Sequence, residues 1–410
     1  MSTGGATGPA GPLRYPAFLG ALGARSISQA GSWIQTVAVG WLAFHLTHQA
    51  VAVGLIALLS LLPPVVLSEP GVVLDNRFGV RRVTMLLYGL QVLPAGALAV
   101  AAAVGHLTII ELYVATASYS IAAALARPGL QRLIPTTVPA AVRDRAIALE
   151  DTAFHLARLA GALVGGALLA TSGAAPCFAV NSVSFLVVVL MIGITRFDLD
   201  HIRRSRAQSV KTRQWLREIR QRADLRALAI ILVAAAALGR PTQSLAPVIA
   251  DRYSTSPLFL GILVSAFALG GMVASLILAR LERRDLSSRP VLAAATFMCG
   301  LAIAALATLP PRPLSLVTAA CVGGLTSILY IVSLSWLQLD AAEGLAPHLI
   351  GLFFAIMAAG SAVGAAAIGG LADAVGIQWA LVPGAVILTG LGTFRLWRTR
   401  LYGVRSPDGQ

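Results

Sequence analysis

Apolar runs about twenty residues long, separated by short polar connections, follow one another along almost the whole chain. A membrane-spanning helix needs ~20 consecutive apolar residues, so each run predicts one such helix. The twelve predicted helices cover residues 17–46, 49–72, 83–104, 109–131, 145–171, 175–195, 227–250, 258–279, 291–309, 315–338, 349–372 and 378–395.

One longer polar segment divides these helices into two sets of six. Within it Trp215, Leu216 and Ile219 share one helical face beside many arginines, which is typical of a helix lying on a membrane surface. The predicted organisation is a disordered N-terminus (1–16), a six-helix bundle (17–195), a cytosolic linker with an amphipathic helix (196–226), a second six-helix bundle (227–398) and a cytosolic tail (399–410).

Composition agrees with lipid as the main solvent. The chain of 410 residues is 57% hydrophobic and 12% charged, whereas soluble domains carry about 25% charged residues. So little charge cannot cover a water-facing surface. The predicted fold class is therefore an all-α membrane protein with twelve transmembrane helices in two pseudo-symmetric bundles.

The positive charges indicate the orientation of the chain. If the N-terminus is cytosolic, 26 of the 31 Lys and Arg residues fall on the cytosolic side, counting Arg127 and Arg395 at the cytosolic ends of predicted helices four and twelve, and only Arg252 and Arg312 fall on the opposite side. The remaining three, Arg25, Arg158 and Arg240, lie inside predicted helices. The positive-inside rule then predicts a multi-pass protein of the cell inner membrane with both termini in the cytosol. The net charge of +14 thus reflects topology, and we expect no nucleic-acid partner.

Two short patterns recur at equivalent places in the two halves, as in the duplicated build of many secondary transporters. One is a hydroxyl residue seven positions before a glycine, and the other is Gly-x-x-x-Gly. They are Thr47 with Gly54, Ser254 with Gly261, Gly161 with Gly165, and Gly360 with Gly364.

Polar side chains are concentrated on helices one, four, seven and ten, whereas helices three, nine and twelve are nearly featureless. Polar groups avoid lipid, so the polar helices should line a central cavity and the featureless ones should face lipid. Arginine could bind an anion there, and aromatic rings could stack on a flat molecule. The candidate cavity residues are Arg25, Gln29, Ser32, Thr36, Tyr119, Arg240, Gln243, Thr326, Tyr330 and Ser333.

If a chain of this kind moves a solute, the energy must come from an ion gradient or from the gradient of the solute itself, because no ATP-binding loop is present: the only lysine, Lys211, follows Val210. We predict protons as the coupling ion. Asp151, His155 and Arg158 are spaced to form one stripe on helix five, with Glu150 beside them.

Neutralising Asp151 is expected to abolish transport driven by a pH gradient. The alternative is that Glu150 and Asp151 only pair with Arg145 or with the loop arginines.

The chain carries no pattern of a metal site or of an enzyme. Its cysteines, Cys177, Cys299 and Cys321, stand alone in apolar stretches, and its six histidines are scattered. We predict no metal, no cofactor and no catalytic residues.

The dense charged run EPGVVLDNRFGVRR follows the second predicted helix. Its last twelve residues resemble the signature loop of the major facilitator superfamily. The matching residues are Gly71, Asp75, Arg77, Gly79, Arg81 and Arg82. The resemblance implies the major facilitator fold and a conformational latch in which Asp75 faces the N-terminal end of helix eleven. The alternative is a basic topology anchor.

Four further runs are similar to one branch of that superfamily, the exporters of enterobactin and macrolides. They are SQAGSWIQTVAVGWLAFHLT, ARPGLQRLIP, GALVGGALLATSGAAPCFAVNSVSFL and VGAAAIGGLAD. Two departures weaken the case for proton antiport: Ser32 stands where many relatives have Asp, and the helix-five glycine patch (Gly161, Gly165, Gly166) lacks its usual proline. A second run, GGLADAVG at residues 369–376, looks like the latch but lacks arginine and falls on the outer side.

These features predict a monomeric secondary active transporter that works by alternating access. The predicted substrate is a small amphipathic compound, such as an antibiotic, a siderophore or another secondary metabolite, which the protein exports. The alternatives are an uptake permease for a small organic solute and a polytopic membrane protein that does not transport.

Overall fold

The computed structural model describes residues 11–195, 223–278, 280, 289–308, 310–340 and 346–402, and these residues contain helices and no strand. The long helices are α1 Pro16–Thr47, α2a Ala50–Leu61, α2b Pro63–Phe78, α3 Val80–Ala103, α4 Ile109–Leu133, α5 Arg143–Ser172, α6 Ala174–Ile194, α7a Ala223–Ala234, α8 Pro257–Leu278, α9 Arg289–Ala307, α10 Arg312–Asp340, α11 Ala346–Val375 and α12 Ile377–Tyr402. Two short helices, α7b Pro241–Ser244 and α7c Ala246–Asp251, continue α7a after a π-helical turn at Ala235–Gly239.

Eleven segments in the described part of the chain are long and apolar enough to cross a membrane. Helix α1 is not among these eleven segments, because it carries the polar side chains of Arg25, Gln29, Ser32 and Thr36. It is 32 residues long. At 1.5 Å per residue its length still exceeds the ~30 Å of a hydrocarbon core. The predicted all-α membrane protein is confirmed.

Two predicted helices differ from the observed ones. The second was predicted to end at residue 72, but the chain remains helical to Phe78, with an interruption at Leu62 before Pro63. The seventh was predicted as one continuous helix and is broken into pieces. Proline stands in the first turn of α2b, α7b and α7c, where its missing N–H leaves no hydrogen bond unmade. The apolar pattern continues across these breaks, so it did not predict them.

The chain forms two compact units. The first is built from the described residues within 1–38 and 66–208, and the second from those within 39–65 and 209–410. The first has a core cluster around Phe18, Leu133 and Ile192, and the second has one around Leu228 and Phe353. The C-terminal part of α1, from Val39, and all of α2a therefore belong to the second unit, although they come early in the sequence.

The predicted linker lies mostly outside the described residues, as do its surface helix and the end of the tail. Residues 223–226, predicted as linker, instead form the first turn of α7a. Residues 399–402, predicted as tail, continue α12.

The two Gly-x-x-x-Gly patterns make equivalent contacts. A Cβ on Gly161 would lie 2.9 Å from Ala30 Cα, so α5 packs backbone against backbone on α1. A Cβ on Gly364 would lie 2.8 Å from Ala237 Cα, so α11 packs in the same way on the π turn of the seventh helix. In each half the fifth helix thus meets the first, as an internal repeat requires.

The other repeated pattern also forms matching structure. Thr47 Oγ1 accepts a hydrogen bond from Gln49 N at 3.2 Å, and Ser254 Oγ accepts one from Ser256 N at 3.1 Å. Both are side-chain turns that direct the chain into the second helix of a half. The two halves therefore share local geometry as well as sequence pattern.

The helices that were predicted to face lipid expose apolar stripes. On α3 the side chains of Leu86, Leu93 and Val100 are all exposed, at a spacing of seven residues. On α12 Trp379 and Val386 are exposed at the same spacing. Such stripes follow one helical face, and in this composition they are the faces that lipid covers.

We expect Gly364→Ala to destabilise the protein by about 1–3 kcal/mol, because its added methyl group must displace the backbone at Ala237. Thermal unfolding of the detergent-purified full-length chain measures the change. Gly351→Ala on the same helix is the matched control, because a Cβ there meets nothing within 4 Å. Equal stability of the two variants would contradict the close contact between α11 and the seventh helix.

Candidate functional site

The charged run after the second helix is mostly helical. Helix α2b continues through Phe78, and α3 begins at Val80, so Gly79 alone forms the connection. Its φ of 91° lies in the left-handed region that glycine adopts without strain. The predicted turn is therefore a single residue, and Gly71 lies within the helix.

Asp75 is buried between α2b and α4. A Cβ on Gly71 would lie 2.7 Å from Leu125 O, so the two helices touch, and a Cβ on Gly129 would lie 3.1 Å from Asp75 Oδ1. Asp75 is 2% exposed, and Arg132 Nη1 lies 3.9 Å from its Oδ2.

Among the described residues neither carboxylate oxygen of Asp75 has a hydrogen-bond partner. Burial raises the pKa of Asp75 to about 6, and the nearby guanidinium of Arg132 lowers it in part.

The three arginines of the run have different surroundings. Arg81 donates hydrogen bonds to Ile192 O at 3.1 Å and to Gly193 O at 2.7 Å, and so caps the last carbonyls of α6. Arg77 lies over the ring of Phe78 at 5.2 Å, and Arg82 is exposed. The pairing of Asp75 with the start of the eleventh helix remains a prediction.

The coupling candidates on α5 divide into two groups. Glu150 forms an ion pair with Arg25 of α1, and the side chain of Glu150 is only 15% exposed. Asp151 is 75% exposed, with His155 Nε2 3.7 Å from its Oδ2. Glu150 thus pairs with an arginine inside the bundle, whereas Asp151 faces away from it.

Arg158 is the third member of the predicted stripe and contacts an aromatic ring. Its guanidinium carbon is 4.5 Å from the centroid of the Trp33 ring, a cation–π arrangement between α5 and α1. The stripe therefore exists as a helical face, but its members do not form one cluster.

The candidate cavity residues of the first unit are partly joined by hydrogen bonds. Tyr119 of α4 donates from its hydroxyl group to Ser32 Oγ at 3.3 Å, and its ring lies 5.6 Å from that of Phe185. Thr36 Oγ1 donates to Ser32 O at 2.7 Å. Gln29 lies with Arg25 and Glu150 around a small cavity.

The second unit has a corresponding group on α7b and α10. Gln243 donates from Nε2 to Thr326 Oγ1 at 3.0 Å. Tyr330, one turn further along α10, is the electrostatic neighbour of Arg240. Ser333 is fully buried. One hydrogen-bonded link, Gln243 with Thr326, thus joins the seventh and tenth helices, with Arg240 and Tyr330 close enough to interact electrostatically.

Sequence analysis missed a buried amide pair in the first unit. Asn181 of α6 is fully buried and donates to Gln35 Oε1 at 2.7 Å, and Ser184 Oγ donates to Asn181 O at 2.7 Å. Both amides lie in sequence runs quoted above, but a single polar residue in an apolar run does not reveal its partner.

Two apolar grooves lie apart from these polar groups. One, of about 1110 Å³, is lined by α9 and α12 residues including Trp379, Phe394 and Trp397. The other, of about 680 Å³, lies between α3 and α4. Their walls are the exposed apolar faces, so both grooves are places where lipid chains pack, not the candidate site. Across the described residues no group of three or more His, Cys, Asp or Glu could hold a metal ion.

We expect Asp75→Asn to stabilise the protein at neutral pH by up to about 3 kcal/mol, with less gain at lower pH. The raised pKa means that the folded state binds a proton more tightly than the unfolded state. The contribution of Asp75 to the stability of the wild type therefore falls as pH rises from about 4 through about 6. The asparagine does not titrate, so its advantage grows across the same window.

Thermal unfolding of the purified chain between pH 4 and 8 measures this difference. Glu69→Gln is the control, because Glu69 lies on the same helix and is exposed. A gain for Asp75→Asn that does not change with pH would show that Asp75 is not a desolvated carboxyl.

Comparison with known proteins agrees with this architecture. Residues 7–408 match the family described as transmembrane secretion effector. The chain is 26% identical to the multidrug efflux pump Tap of Mycolicibacterium fortuitum, with 91% of this chain and 93% of that protein covered. It is 28% identical to Tap of Mycobacterium tuberculosis (strain ATCC 25618 / H37Rv), with 93% and 94% covered.

A solved structure shares the fold at low sequence identity. It is a bacterial homolog of the human lysosomal transporter Spinster in an inward-facing and occupied conformation. Its TM-score is 0.71 at 15% identity, with 98% of this chain and 100% of that chain covered. This structural likeness shows the fold alone. The family match over residues 7–408 confirms the predicted superfamily and branch, and with the efflux-pump relatives it makes this a transporter rather than an enzyme. The chain belongs to the transmembrane secretion effector family of the major facilitator superfamily.

Proposed function

We propose that this protein is a secondary carrier of the cell inner membrane that exports a small amphipathic compound by alternating access, with both termini in the cytosol. The efflux pumps that resemble it over nine-tenths of its length support the direction of transport. The arginine asymmetry supports the orientation. We propose a monomer, since one chain carries both halves of the repeat.

The observation that carries this proposal is the presence of charged side chains inside otherwise apolar spans. Arg25 and Glu150 pair between α1 and α5, and Arg240 lies within the span Leu225–Ser244. Charged groups in a membrane span cost several kcal/mol unless they are paired or wet, and in transporters they mark substrate or ion pathways.

Glu150 is the better-placed coupling residue. Its carboxylate is shielded and already bound to a cation, so protonation would weaken the attraction that holds α5 to α1 at this point. A proton that enters from the outside would bind Glu150 and release Arg25 in each cycle. The exposed Asp151, with only His155 beside it, lacks such a partner and would serve at most as a surface relay.

The Asp75 region would act as the cytosolic latch. Arg81 ties α3 to the end of α6, and the buried Asp75 ties α2b to α4 through Arg132. Helices α2b, α3, α4 and α6 then move as one body at the cytosolic surface. A buried carboxylate whose oxygens accept no hydrogen bond from the described residues is suited to receive a helix N-terminus when the latch closes.

We expect Glu150→Gln to abolish transport driven by a pH gradient while leaving exchange of substrate down its own gradient intact, because only the coupling step needs the proton. The measurement uses everted membrane vesicles energised by respiration, with uptake of ethidium, a macrolide and a catecholate siderophore compared. Asp151→Asn is the matched control and should retain driven transport.

The outcomes separate the alternatives. Uptake into everted vesicles that a protonophore abolishes supports proton-driven export, whereas uptake only into right-side-out vesicles would indicate a permease. Driven transport that survives in Glu150→Gln but is lost in Asp151→Asn would move coupling to Asp151. No movement of any probe in either vesicle orientation would contradict the carrier function itself.

A further inference from the structure

Arg240 lies where the seventh helix changes its hydrogen bonding. Its N–H donates to Ala235 O at 3.0 Å, an i to i−5 bond that closes the π turn, and Pro241 begins the short helix α7b directly after it. π-Helical turns occur frequently at functional sites. Interrupted membrane helices form the binding sites of many secondary transporters. The break therefore sets Arg240 apart from the other two embedded arginines.

Charge balance sets it apart as well. Arg25 pairs with Glu150, and Arg158 lies over Trp33. For Arg240, no carboxylate in the described part of the chain lies within the 4.0 Å of an ion pair. A guanidinium within a membrane span with no counter-charge is unfavourable, and an anion from outside the chain would remove that cost.

The groups around Arg240 are suited to contact the uncharged part of an amphipathic anion. Gln243, on the same helical face, donates to Thr326. The ring of Tyr330 lies 5.1 Å from that of Phe353 and 6.2 Å from that of Phe354, and Phe354 is 47% exposed. The buried hydroxyl oxygen of Ser333 has no hydrogen-bond partner among the described residues. One cation therefore lies beside an aromatic cluster within a single unit.

We propose that Arg240 binds an acidic group of the exported molecule, a carboxylate or a sulfonate, while Tyr330 and Phe354 contact its flat apolar part. The substrate class is then an amphipathic organic acid. This inference rests on the proposed carrier function and adds the charge of the cargo, which the family match leaves open.

The test uses two dyes that differ in one carboxylate, rhodamine B and its ethyl ester. Fluorescence anisotropy measures their binding to the full-length protein in detergent micelles. A charge-assisted hydrogen bond contributes enough for a preference of about tenfold or more for rhodamine B. Arg240→Gln should remove that preference, and Arg240→Lys should keep most of it. Arg252→Gln, which removes an exposed arginine just after α7c, should bind as the wild type does.

Equal affinity of the wild type for both dyes, binding of neither dye, or an unchanged preference in Arg240→Gln would each overturn the proposal. Transport in everted vesicles keeps the two ideas separate. If the ester is exported as fast as the acid, the carrier function stands and the acid site falls. If neither dye moves while rhodamine B binds with the expected preference, the acid site stands and the carrier function falls.

A second, independent observation concerns the run at residues 369–376 on the outer side. Asp373, near the end of α11, accepts hydrogen bonds from Ala50 N at 2.5 Å and from Val51 N at 2.9 Å. These are the first two amides of α2a, and Gln49, its own N-cap residue, makes no side-chain cap. The helix is therefore capped by a carboxylate more than 320 residues away in the chain.

Glycine allows this contact. A Cβ on Gly369 would lie 2.7 Å from Ala50 O, and a Cβ on Gly54 would lie 2.5 Å from Ala365 O, so α2a and α11 touch along their backbones. Next to them His45 Nε2 lies 3.6 Å from Asp251 Oδ1, joining the end of α1 to the end of α7c. Both acids come from the C-terminal half of the sequence, and both partners come from the N-terminal half.

We infer that Asp373 is a releasable cap, made when α2a and α11 are together at the outer surface and broken when they part. A cap of two hydrogen bonds contributes about 0.5–2 kcal/mol, which is strong enough to favour one state and weak enough to be broken in each cycle. It needs no arginine, because the helix N-terminus itself supplies the positive pole.

Asp373→Ala should raise amide hydrogen exchange in the first turn of α2a by on the order of tenfold and change the rate of dye export in vesicles. Glu111→Ala is the matched control, since Glu111 accepts from Thr108 N at 2.7 Å within its own helix start and has no hydrogen bond to another helix in the described part of the chain. Unchanged exchange at residues 50 and 51 would overturn the cap. Raised exchange with wild-type export would overturn its role in the cycle.

Discussion

Backbone contact at glycine is the interaction on which the rest of this structure depends. Lipid chains are as apolar as leucine, so no hydrophobic drive brings membrane helices together, and association relies on close packing at small residues. Gly161 and Gly165 bring α5 onto α1 in the first half, and Gly364 brings α11 onto the seventh helix in the second. Polar side chains of the two helices can then contact each other, whereas larger residues at the glycine positions would hold the helices too far apart.

Interior charges are held by different means in the two units. In the first, Arg25 and Arg158 both lie between α1 and α5, one paired with Glu150 and the other over Trp33. The balance is internal, so this region can respond to a proton without a ligand. In the second, Arg240 has an aromatic neighbour in place of an acid. In our proposals the duplicated fold would separate two tasks, with proton coupling in the first unit and recognition of the cargo's charge in the second.

The two aspartates Asp75 and Asp373 suggest how one element can serve both faces of the membrane. The second helix is in two pieces, and each piece has an acid near its membrane-surface end: Asp75 within α2b, and Asp373 from α11 at the start of α2a. If Asp75 pairs with a helix N-terminus as we propose, opposite ends of this helix would be controlled by the same kind of interaction, although in the structure Asp75 lies beside Arg132. Because each such interaction would contribute about 1 kcal/mol, neither state would be locked.

The number and order of the helices follow from the sequence alone, because a span of ~20 apolar residues has few other possible structures. The recurrence of the glycine patterns and of Thr47 and Ser254 in the two halves was also visible in the sequence, whereas the breaks in the second and seventh helices were not. Only the tertiary structure shows the π turn before Arg240, the pairing of Glu150 with Arg25 rather than Arg145, and the cap from Asp373 to Ala50. Each of these depends on which residues distant in sequence approach within about 3–4 Å. Helical periodicity shows which residues share a face of one helix, but it does not show which residues of another helix they meet.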